Sequence, residues 1–162
     1  MIIFPILAII PTFLFWAWAH EFCHLLAHKV CGADGTYVIK VLPHKWRDKW
    51  YFARLHWVQY FIPPGGLTPT QRGFIEIAPR FVDLLAVIAL PFAILFPGVL
   101  CWMWIVFWGG GIIDLIVGSI GWSERSDLRQ GASWFEISPW ILRTVGFTLA
   151  ILSTATMIAW IV

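Results

Sequence analysis

The sequence predicts an α-helical multi-pass membrane protein, with about four transmembrane helices and a small interfacial β-hairpin between the first and second. Three observations carry that prediction. Of 162 residues, 60% are hydrophobic and 12% charged, with a mean hydropathy of +0.79, where soluble domains carry roughly 25% charged residues. The apolar residues gather in blocks long enough to cross a bilayer, which takes about 20 residues of helix. One long polar connection, residues 31–72, interrupts them and is rich in β-branched and aromatic residues. That length suits one membrane-embedded domain over 1–162, with no room for an appended soluble one.

The first apolar block predicts a helix over 3–30. Ala17-Trp18-Ala19 resembles a signal-peptidase site, but no basic residue precedes it, and cleavage there would remove the helix that carries His20. The first span is therefore read as retained, stopping at Gly32. Within residues 36–66, Thr36–Leu42 and Tyr51–Ile62 read as strands around a basic turn-like stretch, Pro43–Lys49, and Pro63-Pro64-Gly65-Gly66 closes the region in a turn. Trp46, Trp50, Tyr51, Trp57 and Tyr60 alternate there with Lys40, Lys45, Arg47, Lys49 and Arg54. That mixture suits a lipid headgroup layer, where rings and snorkelling bases settle, and no nucleic-acid partner is expected.

The block 74–120 is too long for one span and breaks at Phe96-Pro97-Gly98. It predicts helices over 79–96, starting at Pro79 with a kink at Pro91, and over 99–120. Arg80 and Asp83, three residues apart, can pair with each other. Residues 122–137 are polar and amphipathic. Ser138 as N-cap and Pro139 as first residue open a last helix, 139–161, whose Gly146, Ala150 and Thr154 make a stripe for close packing. Cys23, Cys31 and Cys101 form no CxxC pair and read as small buried residues rather than a disulfide framework.

Chemistry concentrates in the first helix. His20-Glu21-Phe22-Cys23-His24 is an HExxH motif, expected by chance in on the order of one such chain in a few hundred. Four residues apart on a helix, His20 and His24 lie about 40° and 6 Å from each other, so both can reach one zinc ion. Glu21 stands beside them as a general base for a water that zinc brings towards a pKa of about 7. Ionisable groups are costly in hydrocarbon and mark function by default.

Asp114 is the only ionisable residue of 99–120 and has no counter-ion on its own helix. A zinc ion would satisfy it, and helix rise puts it at the depth of His20 and His24, which makes it the expected third ligand. His28, about 12 Å along the axis from His20, and Asp83, already opposite Arg80, are the rivals. Gly109-Gly110-Gly111 lets another helix come close. Seven bases fall in 29–72 and three in 125–143, with none at the 96–100 turn or the chain ends. The positive-inside rule then places both polar connections, and the site, at the cytoplasmic face of a cell membrane, with both termini outside.

This order of parts resembles the site-2 protease class of intramembrane zinc metalloproteases: HExxH in the first span, a β-like segment ending in Pro63-Pro64-Gly65-Gly66, Ala78-Pro79 opening the next span, and Asp114 in the following one. The pattern His-Glu-Phe-Cys-His-Leu-Leu-Ala-His with Gly-Gly-Gly-Ile-Ile-Asp is also similar to a group of small membrane zincins. The resemblance covers about residues 15–120. It implies one zinc ion held by His20, His24 and Asp114, Glu21 as the catalytic residue, and engagement of a membrane-spanning protein substrate by residues 36–66. Cys23 stands where that class usually has Gly, and Ile-Ile-Asp-Leu replaces a segment that there contains Asn-Pro and ends Leu-Asp-Gly.

The sequence thus predicts a metalloendopeptidase hydrolysing membrane-spanning substrates within the lipid bilayer. Gly65 and Gly66 are expected to allow close approach of the substrate backbone. A non-proteolytic zinc-binding adaptor or chaperone of transmembrane helices is the alternative, opposed by Glu21, because binding needs no general base. A metal transporter is opposed by the almost wholly apolar outer half of every predicted span.

Overall fold

The structure, a computed structural model, describes residues 3–46, 48–89, 93, 95–120 and 126–161. Helix α1 runs Ile3–Val30 without a break, with Pro11 inside it. It ends where Gly32 takes a positive φ of 84° and the amides of Gly32 and Ala33 bond back to the carbonyls of Lys29 and His28. Glycine adopts that conformation without Cβ strain.

Four strands follow. β1 (Asp34–Lys40) pairs antiparallel with β4 (Arg54–Phe61), with a register shift between Thr36 and Tyr37. Between them β2 (His44–Trp46) and β3 (Lys49–Tyr51) form an inner hairpin. The expected pair of strands is present, with a second, shorter hairpin at its tip. The sheet also lies along α1 and does not stand beyond its end. The hydroxyl of Tyr60 lies 3.0 Å from His28, the amide of Leu55 bonds Glu21, and the ring of Phe52 packs 5.3 Å from that of Phe13. From His28 to Phe13 is about 22 Å of helix.

Helix α2 (Pro69–Ile77) has no counterpart in the sequence expectations. Thr68 caps it, its side chain accepting from the amide of Gln71 while the Gln71 side chain accepts from the amide of Thr68. Helix α3 (Arg80–Ala89) is followed by α4 (Val99–Ile120), α5 (Asp127–Trp134) and α6 (Pro139–Ile161). Among the described residues three helices are long and apolar enough to cross a membrane, over Ile6–Val30, Val99–Val117 and Pro139–Ala159. The predicted second span, 79–96, is described as helix only to Ala89, ten residues or about 15 Å. That is too short by itself for a core about 30 Å thick, so four spans are not shown; Pro91 and its expected kink lie outside the described residues.

Helix α4 is the axis of the bundle. A methyl group on Gly110 would meet Trp16 of α1 at 3.3 Å, and one on Gly111 would meet Ala86 of α3 at 2.8 Å, so these two glycines admit one neighbour each. On its other side Ile112 and Leu115 pack with Ala150 of α6, and the Trp108 indole donates to the Ser153 hydroxyl at 2.6 Å. Helices α2 and α5 lie against each other beside the polar end of α1. Gly131 of α5 has no room for a side chain, since a Cβ there would meet Ile77 at 2.5 Å, and Gly73 is closed off by Phe135.

Candidate metal centre

The HExxH turn of α1 faces the place where α3, α4 and α5 converge. His24 is oriented first: its Nδ1 lies 2.8 Å from the carbonyl oxygen of Ile75 in α2. That nitrogen therefore carries the proton and donates, which leaves the lone pair of Nε2 free to ligate. His20 lies one turn earlier, the two ring centroids 5.5 Å apart. Its Nδ1 approaches an oxygen of Asp114 at 3.5 Å without making a hydrogen bond, although it is buried. Both Nε2 atoms face Asp127, at 3.3 Å from His20 and 3.8 Å from His24.

His20, His24 and Asp127 offer one ligand atom each within 4.8 Å of one another. Among the described residues no other group of three does so. Asp114, the third ligand expected from the sequence, lies instead on the far side of the His20 ring. It does have a counter-ion, supplied by another helix: Arg80 of α3 donates to Asp114, to Asp83 at 2.7 Å and to Asp127 at 3.0 Å. The expected Arg80–Asp83 pair is thus one arm of a four-member cluster. Arg80 holds the Asp127 carboxylate against the two imidazoles while α5 carries it.

Glu21, next to His20 on α1, accepts at its Oε2 from the amide of Leu55 at 2.7 Å. The Leu55 N–H points at Glu21 and so belongs to the edge of β4 that faces α1, not to the ladder with β1. Between that edge and α1 lies a cleft of about 630 Å³, with Glu21, His24, Leu55, Trp57, Glu76 and Asp127 among its lining residues. His28 lines it too but gives its Nδ1 to the Tyr60 hydroxyl and belongs to no metal group. Asp83 is fully buried beneath Arg80. Gly65 and Gly66 lie outside this cleft, in the turn between β4 and α2, with φ of 90° and 79° and open space around both.

Two acids that line the cleft have perturbed ionisation. Burial alone would raise Asp127, but its hydrogen bond to His20 and the charges of His24, His20 and Arg80 hold it well below the usual carboxylate range. Glu76 is pushed up to about 7, first by burial and then by the negative charge of Asp127.

Sequence reasoning missed Asp127, the Leu55 amide and the reach of Arg80 beyond Asp83 to Asp114 and Asp127. The helix that carries Asp127 had one legible sign, Ser126 followed by an acid, which is ordinary helix-start chemistry and does not single out a ligand. No protein-family model, curated protein or solved structure matches this chain. The donor set itself suits a divalent zinc-like ion: two neutral imidazoles and a carboxylate are an N2O set, the His24 nitrogen is directed by the Ile75 carbonyl, and a cleft lies beside the set. With all three carboxylates ionised, Asp83, Asp114 and Asp127 against Arg80 leave the cluster two negative charges in excess.

Proposed function

We propose that the chain is an intramembrane zinc metallopeptidase, with His20, His24 and Asp127 as the metal ligands, Glu21 as general base and Asp114 and Arg80 as the groups that orient the ligands. The observation that carries this reading is the convergence of two imidazole nitrogens and a carboxylate within 4.8 Å, beside a cleft that also contains Glu21. Bound there, zinc supplies Lewis acidity for a peptide carbonyl and acidifies water.

The remaining steps belong to the chain's own residues. Among the described residues β4 pairs with β1 alone, so an extended peptide can add to its other edge as a further strand. A membrane-spanning substrate hides its carbonyls in intrahelical bonds and must unwind before it is cut, so a surface that receives extended chain is what the reaction needs. Glu21 takes a proton from the attacking water and returns one to the leaving amine. Cleavage thus adds one water across the peptide bond, and the carboxylate is restored.

The test is a reconstituted assay with membrane-spanning substrates, comparing wild type with Glu21→Gln alongside the zinc content of each. Zinc bound by both, with cleavage by wild type alone, is expected. Zinc-loaded wild type that holds the substrates without cutting any would replace the peptidase with the adaptor reading.

A further inference from the structure

We infer that the small pocket next to the metal cleft is a subsite for one large apolar side chain of the polypeptide being cut, with Leu67 and Trp134 setting which side chains fit. This rests on the peptidase reading above. The pocket encloses about 220 Å³ between the end of β4, α2 and α5, walled by Ile62, Leu67, Ile75 and Trp134 with the ring of Tyr60. That volume is below the roughly 300–1,000 Å³ of sites that take a whole small molecule, and it suits a single side chain.

Its position ties it to the chemistry. His28 and Glu76 line both this pocket and the metal cleft, so the two spaces meet across these side chains. His28 is one helical turn, about 6 Å, beyond His24, and Tyr60 is on the same strand whose amide at Leu55 contacts Glu21. A peptide extended along β4 sends every second side chain to one face, and this pocket can accept one of them.

Three of the polar residues at the pocket already have partners, and the fourth, Glu76, is shared with the metal cleft. The Tyr60 hydroxyl meets His28 at 3.0 Å, and Arg72 donates from Nε to the Leu67 carbonyl at 3.2 Å while its guanidinium sits 4.7 Å from the Trp134 ring centre. The Tyr60 hydroxyl and His28 Nδ1 are committed to each other, whereas an entering apolar side chain covers four apolar walls.

Cleavage profiling of a membrane-spanning substrate randomised on both sides of the cut site tests the assignment. Wild type is expected to favour Leu, Ile or Phe over Ala at one position by about tenfold or more, in the range that one extra or missing group in a hydrophobic pocket commands. Leu67→Trp, which fills the pocket, should reverse that preference at the same position only, and Trp134→Ala, which enlarges it, should shift the optimum to Trp. A binding measurement that needs no turnover runs beside it: a substrate carrying a diazirine-bearing leucine at that position, or at each in turn, is irradiated with zinc-loaded Glu21→Gln. Crosslinks to Tyr60, Leu67 or Trp134 are expected, and they hold even if a pocket variant fails to fold. Unchanged preference in both folded variants, or crosslinks only outside the pocket, overturns the subsite while leaving the peptidase standing. Absence of cleavage by wild type with crosslinks still in the pocket would sink the peptidase reading and keep the pocket as a side-chain binding site.

Discussion

Asp127 and Asp114 face the same imidazole from opposite sides, and they differ in what each can touch. Asp127 sees both Nε2 atoms, Asp114 only Nδ1 of His20. Outer-shell partners of metal-binding histidines typically contribute 10–100-fold to affinity, so Asp114→Asn should weaken zinc binding by about that factor. Asp127→Ala removes a donor and should weaken it further; calorimetric zinc titration of both separates the roles, and equal losses would argue for Asp114 as a ligand. Glu76 makes a different prediction. Its ordinary value of 4.5 rises to about 7 in the folded chain, so folding takes up a proton between those values and stability falls as the pH rises through that window. In metal-free protein, Glu76→Gln should therefore raise the melting temperature relative to wild type at pH 8 and have little effect at pH 4.5.

At the scale of elements, α4 acts as the packing axis because its glycine run is used asymmetrically. A methyl on Gly109 meets nothing within 4 Å, whereas one on Gly111 runs into Ala86 at 2.8 Å and the backbone of Asp83 at 3.3 Å. Helix propensity favours alanine over glycine by about 1 kcal/mol, and overpacking a tight contact costs about 1–3 kcal/mol. Gly109→Ala should accordingly be neutral or stabilising and Gly111→Ala destabilising, as read by unfolding in detergent. Gly111→Ala also moves the helix that carries Arg80 and should lower zinc occupancy. Helices α2 and α5 work as a unit of another kind. One supplies the carbonyl that fixes the tautomer of His24, the other the Asp127 carboxylate, and Gly131 keeps them in contact.

For the whole molecule, α1 and α4 run in the same direction, since Phe15 lies against Phe107 and His20 against Asp114. The metal centre consequently sits towards the end of both spans where the bases cluster. Single cysteines at Asp34 and Ser133 should be labelled by an impermeant maleimide from one face of the membrane, and one at Leu95 from the other; labelling of all three from one face would refute the proposed topology.

Much of the candidate site was legible because HExxH is local: five consecutive residues on one helix fix the relative placement of His20, Glu21 and His24 whatever surrounds them. The stop at Gly32, the span of α4 and the start of α6 were legible for the same reason, each being decided by residues within a few positions of itself. The Thr68 and Gln71 capping pair that starts α2 was readable too, but it fell in the polar connection 31–72, which was read only as strands and turns. The sequence by itself determined a membrane-class chain with a metal-ready helix. Which carboxylate comes within reach of both imidazoles, which base pairs with Asp114 and how far along α1 the sheet reaches were decided only by the tertiary structure. These depend on contacts between residues more than thirty positions apart, and helical periodicity fixes where a side chain points on its own helix but carries no term for which other helix comes to meet it.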